Sequence, residues 1–339
     1  MTRILITGGA GFIGSHLVTA CIAAGNEVHA IVRPGSDDRR LRHEVIPDGG
    51  ARLLRHELDL LDDASLHRCV AAVQPELIFH LAARPRRPES PDFEDARQTV
   101  SEDLLGLIGL LDAAAAARFP PRRLVRTGSL AEYGAAPSPY DETCREAPLT
   151  PYAAGLVAAT QYCAALARRL PFPTATARLA LTYGPAQSPE YLLPLLIQRC
   201  LDGAPVLIRH PLDRRDLVHV DDVVDALLRL GTASVPNAAI LNIASGVAPT
   251  MRALADLVLE HTGADPSLIS YGADADSSGA ADFRGTTGRA RAWLDWKPRT
   301  ALAEGIAGTV AWYREEAARH APRPCHLRLV HSQASEVSP

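Results

Sequence analysis

The first residues able to do chemistry stand near the start of the chain. An apolar run, Ile4-Leu5-Ile6-Thr7, leads into Gly8-Gly9-Ala10-Gly11-Phe12-Ile13-Gly14 and then into a helix-forming stretch. The spacing Gly-x-x-Gly-x-x-Gly suits a backbone that must cup a pyrophosphate. Gly8 permits a tight turn, Gly11 lets the main chain approach phosphate, and Gly14 lets the helix pack on the strand. The free N–H groups and positive dipole end of that helix would then face the phosphates. Three glycines alone say little; a strand before them and an amphipathic helix behind supply the context of a dinucleotide-binding turn.

The second strand ends in Val32-Arg33-Pro34, with Arg39, Arg40 and Arg42 close behind. An acidic residue there would grip the ribose 2′-hydroxyl of NAD, whereas an arginine pairs with the 2′-phosphate of NADP. NADP is expected ahead of NAD, the plainer alternative being that Arg33 is merely solvated. Asp59, after the third strand, either accepts from the adenine amine or caps a helix.

These residues need a frame. Strands are expected at Ile4–Thr7, Val28–Val32, Arg52–Leu54, Leu77–His80, Arg123–Thr127 and Thr174–Leu179. Between them come helices at Phe12–Ala24, Ala64–Val73, Val100–Arg118 and Tyr152–Arg169. Strands alternating with helices predict a parallel sheet covered on both faces, and unbroken apolar strands such as Leu77-Ile78-Phe79 fit such burial. Beyond residue 180 the pattern loosens, with helices at Tyr191–Asp202, Asp222–Leu230, Met251–Thr262 and Leu302–Ala318. We expect a dinucleotide-binding domain over 1–180, a substrate lobe over 181–320 with residues 215–245 partly returning to the sheet, and a disordered tail over 321–339.

Composition narrows the partners. The 339 residues are 47% hydrophobic and 22% charged with a net charge of -4, which suits a globular protein and offers no general field for nucleic acid or anionic membrane. No apolar run nears the ~20 residues that span a bilayer. Met1-Thr2-Arg3 followed by a short apolar run does not read as a secretory signal, so a cytoplasmic location is expected. The six cysteines form no Cys-x-x-Cys pair, and no metal site is expected; Cys325, His326 and His331 read as chance residues of the tail.

Together with His80-Leu81-Ala82-Ala83, Ser129-x-x-x-Tyr133-Gly134, Pro151-Tyr152, Tyr183-Gly184-Pro185, Arg215–Asp222, Leu241–Gly246 and Leu294–Pro298, the glycine turn resembles the extended short-chain dehydrogenase/reductase family, in its branch acting on nucleotide sugars. The resemblance spans roughly residues 3–315. It implies an α/β fold, a Rossmann-type doubly wound parallel sheet with a smaller mixed α/β substrate-binding C-terminal lobe. It implies a nucleotide-sugar substrate and a homodimer formed through the helices at Val100–Arg118 and Tyr152–Arg169. It assigns Tyr152 as general acid/base and Ser129 as its partner at the reacting sugar oxygen. Phe12, Ile13, Leu60, Leu81, Ala82, Ala83, Thr127 and Ala180 would line the cofactor with the glycines. Arg215 would grip the substrate diphosphate, and Leu181 and Asn242 would face the substrate.

The chain departs from that pattern where it matters. A tyrosine is a poor base at its ordinary pKa of about 10. The family depresses it with a lysine four residues on, and here that position holds Leu156. Lys297 is the single lysine among 35 basic residues, yet exchange of lysine elsewhere would leave arginine, not leucine. A close cation shifts a pKa by ~1–3 units, so its loss weakens Tyr152 as a base more than as a proton donor. Leu130 and Ala131 occupy the places of the acidic pair of the 4,6-dehydratases, which removes the catalysts of water elimination. Leu181 and Asp103 each replace an asparagine. The expected activity is NAD(P)-dependent reduction of a nucleotide-linked 4-keto-deoxysugar; the alternatives are a 4-epimerase with tightly held NAD and a cofactor-binding protein without hydride transfer. Tyr133, His80, His219 and Arg178 are expected to be structural, Asp221 and Asp222 to start and cap a helix, Glu132 to be at most an alternative acid, and Trp293 and Trp296 to fill the small lobe's core.

Overall fold

Strand residues that alternate between two apolar layers build the centre of the molecule. The computed structural model describes residues 1–42, 52–272 and 281–320. Cys325, His326, His331 and the expected tail lie outside the described residues. Seven parallel strands form the main sheet in the order β11-β6-β5-β4-β1-β2-β3. They are β1 (Arg3–Thr7), β2 (Glu27–Val32), β3 (Arg52–Glu57), β4 (Leu77–His80), β5 (Arg123–Ser129), β6 (Thr174–Leu179) and β11 (Ala239–Ile243). Strand order reverses direction between β1 and β4, which pair from Ile4 with Leu77 to Thr7 with His80. In open sheets of this kind ligands sit at such a switch point, beyond the carboxyl ends of the strands.

Ile4, Ile6, Phe79 and Val125 face one core with Leu17 and Val18 of α1 (Phe12–Ala23) and Val223 and Leu227 of α8 (Val220–Thr232). Leu5, Ile78 and Leu124 face the other, with Leu66 of α3 (Asp63–Val73), Leu107 of α5 (Leu105–Ala115) and Ala159 of α6 (Pro151–Leu166). A short α2 (Arg39–Arg42) follows β2. Each apolar side chain so buried is worth about 1.5–3 kcal/mol, which makes this double layer the main source of stability.

The helix expected over Val100–Arg118 begins earlier. α4 (Glu94–Gln98) runs into a π-helical turn, Thr99–Leu104, and then into α5. Such turns are rare and cluster at functional sites. α6 packs closely on this turn at Gly155, where a Cβ would overlap the Thr99 side chain.

The smaller lobe has its own core, in which Leu196 and Ile197 of α7 (Leu192–Leu201), Leu254 and Val258 of α9 (Met251–Thr262) and Ile306 and Val310 of α11 (Leu302–His320) meet. Three short parallel pairs join its loops: β7 (Leu181–Tyr183) with β10 (Leu217–His219), β8 (Val206–Ile208) with β12 (Ile269–Tyr271), and β9 (Arg214–Arg215) with β13 (Asp282–Phe283). The helix α10 (Gly288–Leu294) precedes Trp296. Trp296 does not belong to the small lobe's core as expected: it is 1% exposed, packs with the α1–α8 side of the sheet, and donates its indole N–H to the Asp222 carbonyl at 3.1 Å. Trp293 packs on the same layer. The cap of α8 is also not an aspartate. His219 caps it, accepting from the Asp221 amide at 3.3 Å, while Asp222 accepts from the amides of Arg299 and Thr300. Among the described residues no helix is long and apolar enough to cross a membrane, and no cluster of His, Cys, Asp and Glu could hold a metal ion.

Candidate active site

The glycine turn closes on itself before any ligand is considered. Gly8 has φ +72°, and a Cβ there would come within 2.8 Å of the Ala82 amide nitrogen. A Cβ at Gly14 would overlap the Gly8 carbonyl oxygen. Gly11 donates its amide to that same oxygen at 2.9 Å and forms the N-cap of α1 with no side chain to cover the first amides. The cradle thus has room only for backbone, and its unsatisfied N–H groups point where a diphosphate would lie.

Two adjoining cavities open from this turn. The first, about 430 Å³, is lined by Gly8, Gly11, Arg33, Ser36, Asp37, Arg40, Asp59, Leu60, Leu81, Ala82, Ala83, Glu102 and Asp103, among others. Asp59 is not the helix cap: Asp62 caps α3 by accepting from the Ser65 amide, and Asp59 accepts from the Leu61 amide at 3.0 Å within the cavity wall. Arg33 reaches Glu102 of the π turn, Nη1 to Oε2, at 3.4 Å. Glu102 and Asp103, both in that turn, line the same cavity.

The second cavity, about 600 Å³, shares Gly8, Gly11, Arg40, Leu81 and Ala83 with the first and runs on past Phe12, Ile13, Gly14, Thr127, Ser129, Tyr152, Ala180 and Leu181 to Arg215. Ser129 ends β5. Its hydroxyl oxygen accepts from the Ala131 amide at 3.1 Å, so one lone pair is engaged and its hydrogen is left to donate. Tyr152 stands in the first turn of α6, whose Thr150 cap accepts from the Ala153 amide at 3.2 Å. Removal of water raises the Tyr152 phenol well above its ordinary 10.0; Tyr191, Glu132 and Asp103 push the same way, and Arg126 opposes them. Leu156, one turn on, is 5% exposed and adds no charge.

Arg215 stacks 4.3 Å over the Phe283 ring and pairs with Asp213 at 2.9 Å. Arg40 donates to the Ala186 carbonyl at 3.0 Å, joining the loop after β2 to the loop after β7. Two groups the motifs did not single out line the same cavity, Arg86 and Tyr191. Arg86 lies on the loop after β4 and Tyr191 at the N-cap of α7.

Asn242 is a correction. It is fully buried on β11, its side chain accepting from the Tyr133 hydroxyl at 2.8 Å and donating to the Tyr140 carbonyl at 3.1 Å, so it does not face the substrate cavity. Glu132 is equally committed. Fully buried, it accepts from Arg178 Nε at 2.9 Å, the Thr160 hydroxyl at 2.9 Å and the Ser129 amide at 3.0 Å. It braces the turn under Ser129 and does not reach into the cavity as an acid. Tyr133 stacks on Tyr140, and His80 is bonded to the Thr7 hydroxyl at 2.8 Å, both within the core.

Residues 4–244 match the model of the NAD dependent epimerase/dehydratase family. The chain belongs to that family. It is 32% identical over 320 residues to a UDP-glucose 4-epimerase of Mycolicibacterium smegmatis, covering 93% of this chain and 99% of that protein. It is 31% identical to a dTDP-glucose 4,6-dehydratase of Streptomyces niveus, covering 93% and 94%. The solved UDP-glucose 4-epimerase of Thermus thermophilus in complex with NAD superposes with a TM-score of 0.78 at 28% identity, over 92% of this chain and 99% of that one.

Proposed function

We propose that the chain is a reductase of a nucleotide-linked 4-keto sugar, using NADP(H), with a deoxysugar the first substrate to try. The observation that carries this is that Ser129 and Tyr152 line one cavity, with the pKa of the phenol raised by burial. The glycine cradle fits a dinucleotide diphosphate, because each of its close approaches leaves room for backbone alone. Arg33 and Arg40 at its ribose end favour a 2′-phosphate, which a guanidinium binds bidentately. When bound, the nicotinamide supplies the hydride.

The protein's own groups manage the oxygen. Ser129 donates a hydrogen bond to the ketone oxygen and fixes its direction. Tyr152, kept protonated through neutral pH by its raised pKa, gives that oxygen its phenolic proton as negative charge develops there. Arg215 neutralises the substrate diphosphate from the far end. Dehydration finds no acid–base pair beside Ser129, where Leu130 is buried apolar and Glu132 is tied to Arg178.

A 4-epimerase is the second reading, favoured by the epimerases among the relatives. One pair of assays separates the two. Consumption of added NADPH by a dTDP-linked 4-keto-6-deoxysugar supports reduction. Interconversion of UDP-glucose and UDP-galactose without added cofactor supports epimerisation and overturns the first reading. Tight cofactor binding with neither activity would leave a binding protein.

A further inference from the structure

Two adjacent arginines leave the loop after β4 in opposite senses. Arg87 turns inward: its side chain is 5% exposed, and it holds Asp103 at 2.7 and 3.0 Å and Glu102 at 3.3 Å. Its charge is answered, and it pins the loop to the π turn. Arg86 turns towards the cavity. Its guanidinium lies 4.5 Å over the Tyr191 ring, and among the described residues no carboxylate stands within ion-pair distance of it.

The ring holds that guanidinium without neutralising it. A cation over an aromatic face is attracted by the ring's quadrupole, yet its N–H fork stays available to an anion. Arg86, Tyr191, Ser129 and Tyr152 line one cavity, and charge on Tyr191 is felt at the Tyr152 phenol. The exposed cation therefore stands at the reacting end. Arg215, the other arginine of the cavity expected to meet substrate, is already paired with Asp213.

We propose that Arg86, laid on Tyr191, reads a carboxylate on the sugar, so that the preferred substrate is a nucleotide-linked sugar acid. The proposal rests on the nucleotide-sugar reading above and puts a sugar acid in place of the deoxysugar as the first sugar to try. A planar guanidinium and a carboxylate match through two parallel N–H···O bonds, which a neutral hydroxymethyl group cannot supply.

Isothermal titration of the cofactor-loaded protein tests it, with UDP, UDP-glucose and UDP-glucuronate as probes. The wild type is expected to bind UDP-glucuronate about tenfold or more tightly than UDP-glucose, the scale of a charge-assisted contact. Arg86→Ala and Tyr191→Ala should abolish that gap while leaving the affinity for UDP-glucose within about threefold, and Arg86→Lys should keep part of it. No preference for the acid in the wild type overturns the proposal. So does an equal loss of UDP, UDP-glucose and UDP-glucuronate affinity in Arg86→Ala, which would place Arg86 on the diphosphate. If UDP and dTDP themselves fail to bind, the nucleotide-sugar reading falls first.

Discussion

Glu102 Oε2 stands between two guanidinium groups, 3.4 Å from Nη1 of Arg33 and 3.3 Å from Nη2 of Arg87. The arginine expected to meet a 2′-phosphate is thus already engaged, by a half-exposed pair worth only about 0.2–1 kcal/mol. A phosphate can displace such a partner. Arg33→Asp should cost NADP about ten- to a hundredfold in affinity, the value of a charged hydrogen bond, and move preference towards NAD. Glu102→Gln should tighten NADP about two- to fivefold by freeing Arg33. Fluorescence titration with both cofactors decides it; an unchanged NADP/NAD ratio in Arg33→Asp would mean that Arg33 does not touch the cofactor.

Tyr152 and Leu156 make a prediction about pH. The phenol is raised by burial first, Arg126 offsets this only in part, and the position four residues on holds Leu156 in place of the expected lysine. A proton donor with a raised pKa stays competent through neutral and mildly alkaline pH, so reduction should be flat there and fall only at strongly alkaline pH. Leu156→Lys should move that fall to lower pH by ~1–3 units. Tyr152→Phe should lower kcat by ~10²–10⁴-fold with cofactor affinity intact. Steady-state pH profiles check all three, and an unshifted profile in Leu156→Lys would place Tyr152's role elsewhere.

Glu132 and Arg178 form a fully buried pair at 2.9 Å. Removing one partner of a buried pair costs ~3–5 kcal/mol, and the lower end applies here because Arg178 keeps a second carboxylate, Glu146, at 2.5 Å. Glu132→Gln should therefore lower stability strongly in chemical denaturation. Glu132→Gln, Glu146→Gln and Arg178→Met together should recover part of that loss, since no member of the cluster then keeps an unpaired charge. A variant that loses turnover at undiminished stability would instead make Glu132 a participant in the chemistry.

His80 gives an acid limit. It is buried, bonded to Thr7, and its pKa is pushed down from 6.5 to about 3, first by burial and then by Arg126. Below 6.5 the unfolded chain binds a proton that the folded chain refuses. Its contribution is complete above 6.5 and declines as pH falls towards 3, by ~1.4 kcal/mol per pH unit. His80→Asn keeps an acceptor for the Thr7 hydroxyl and should flatten the decline between those values, measured as denaturation midpoint against pH.

What could be read from residues alone followed the locality of the cause. The glycine turn was legible because most of its requirements are local, the positive φ of Gly8 and the approach of Gly11 and Gly14 to the Gly8 carbonyl, although Gly8 also meets Ala82 just beyond β4. The α/β alternation was legible because Leu5, Ile78 and Leu124 must each find a second apolar layer behind the sheet. The π turn was hidden, since a slip in hydrogen bonding leaves the apolar spacing of Leu104, Leu107 and Leu111 almost undisturbed. Asn242 misled because the family resemblance turned it towards the substrate, and only the fold shows Tyr133, 109 residues away, claiming it. Arg86 and Tyr191 stand 105 positions apart, one on a loop and the other at the N-cap of α7, so only the fold brings them together.

Arg40 bonds the Ala186 carbonyl from across the molecule while lining both ligand cavities. A swing of the small lobe must either give up that bond or drag α2 along with it. The lobe is therefore not a free door hung on the sheet. Its travel is geared to α2, a wall of both cavities, so what fills one cavity bears on the shape of the other.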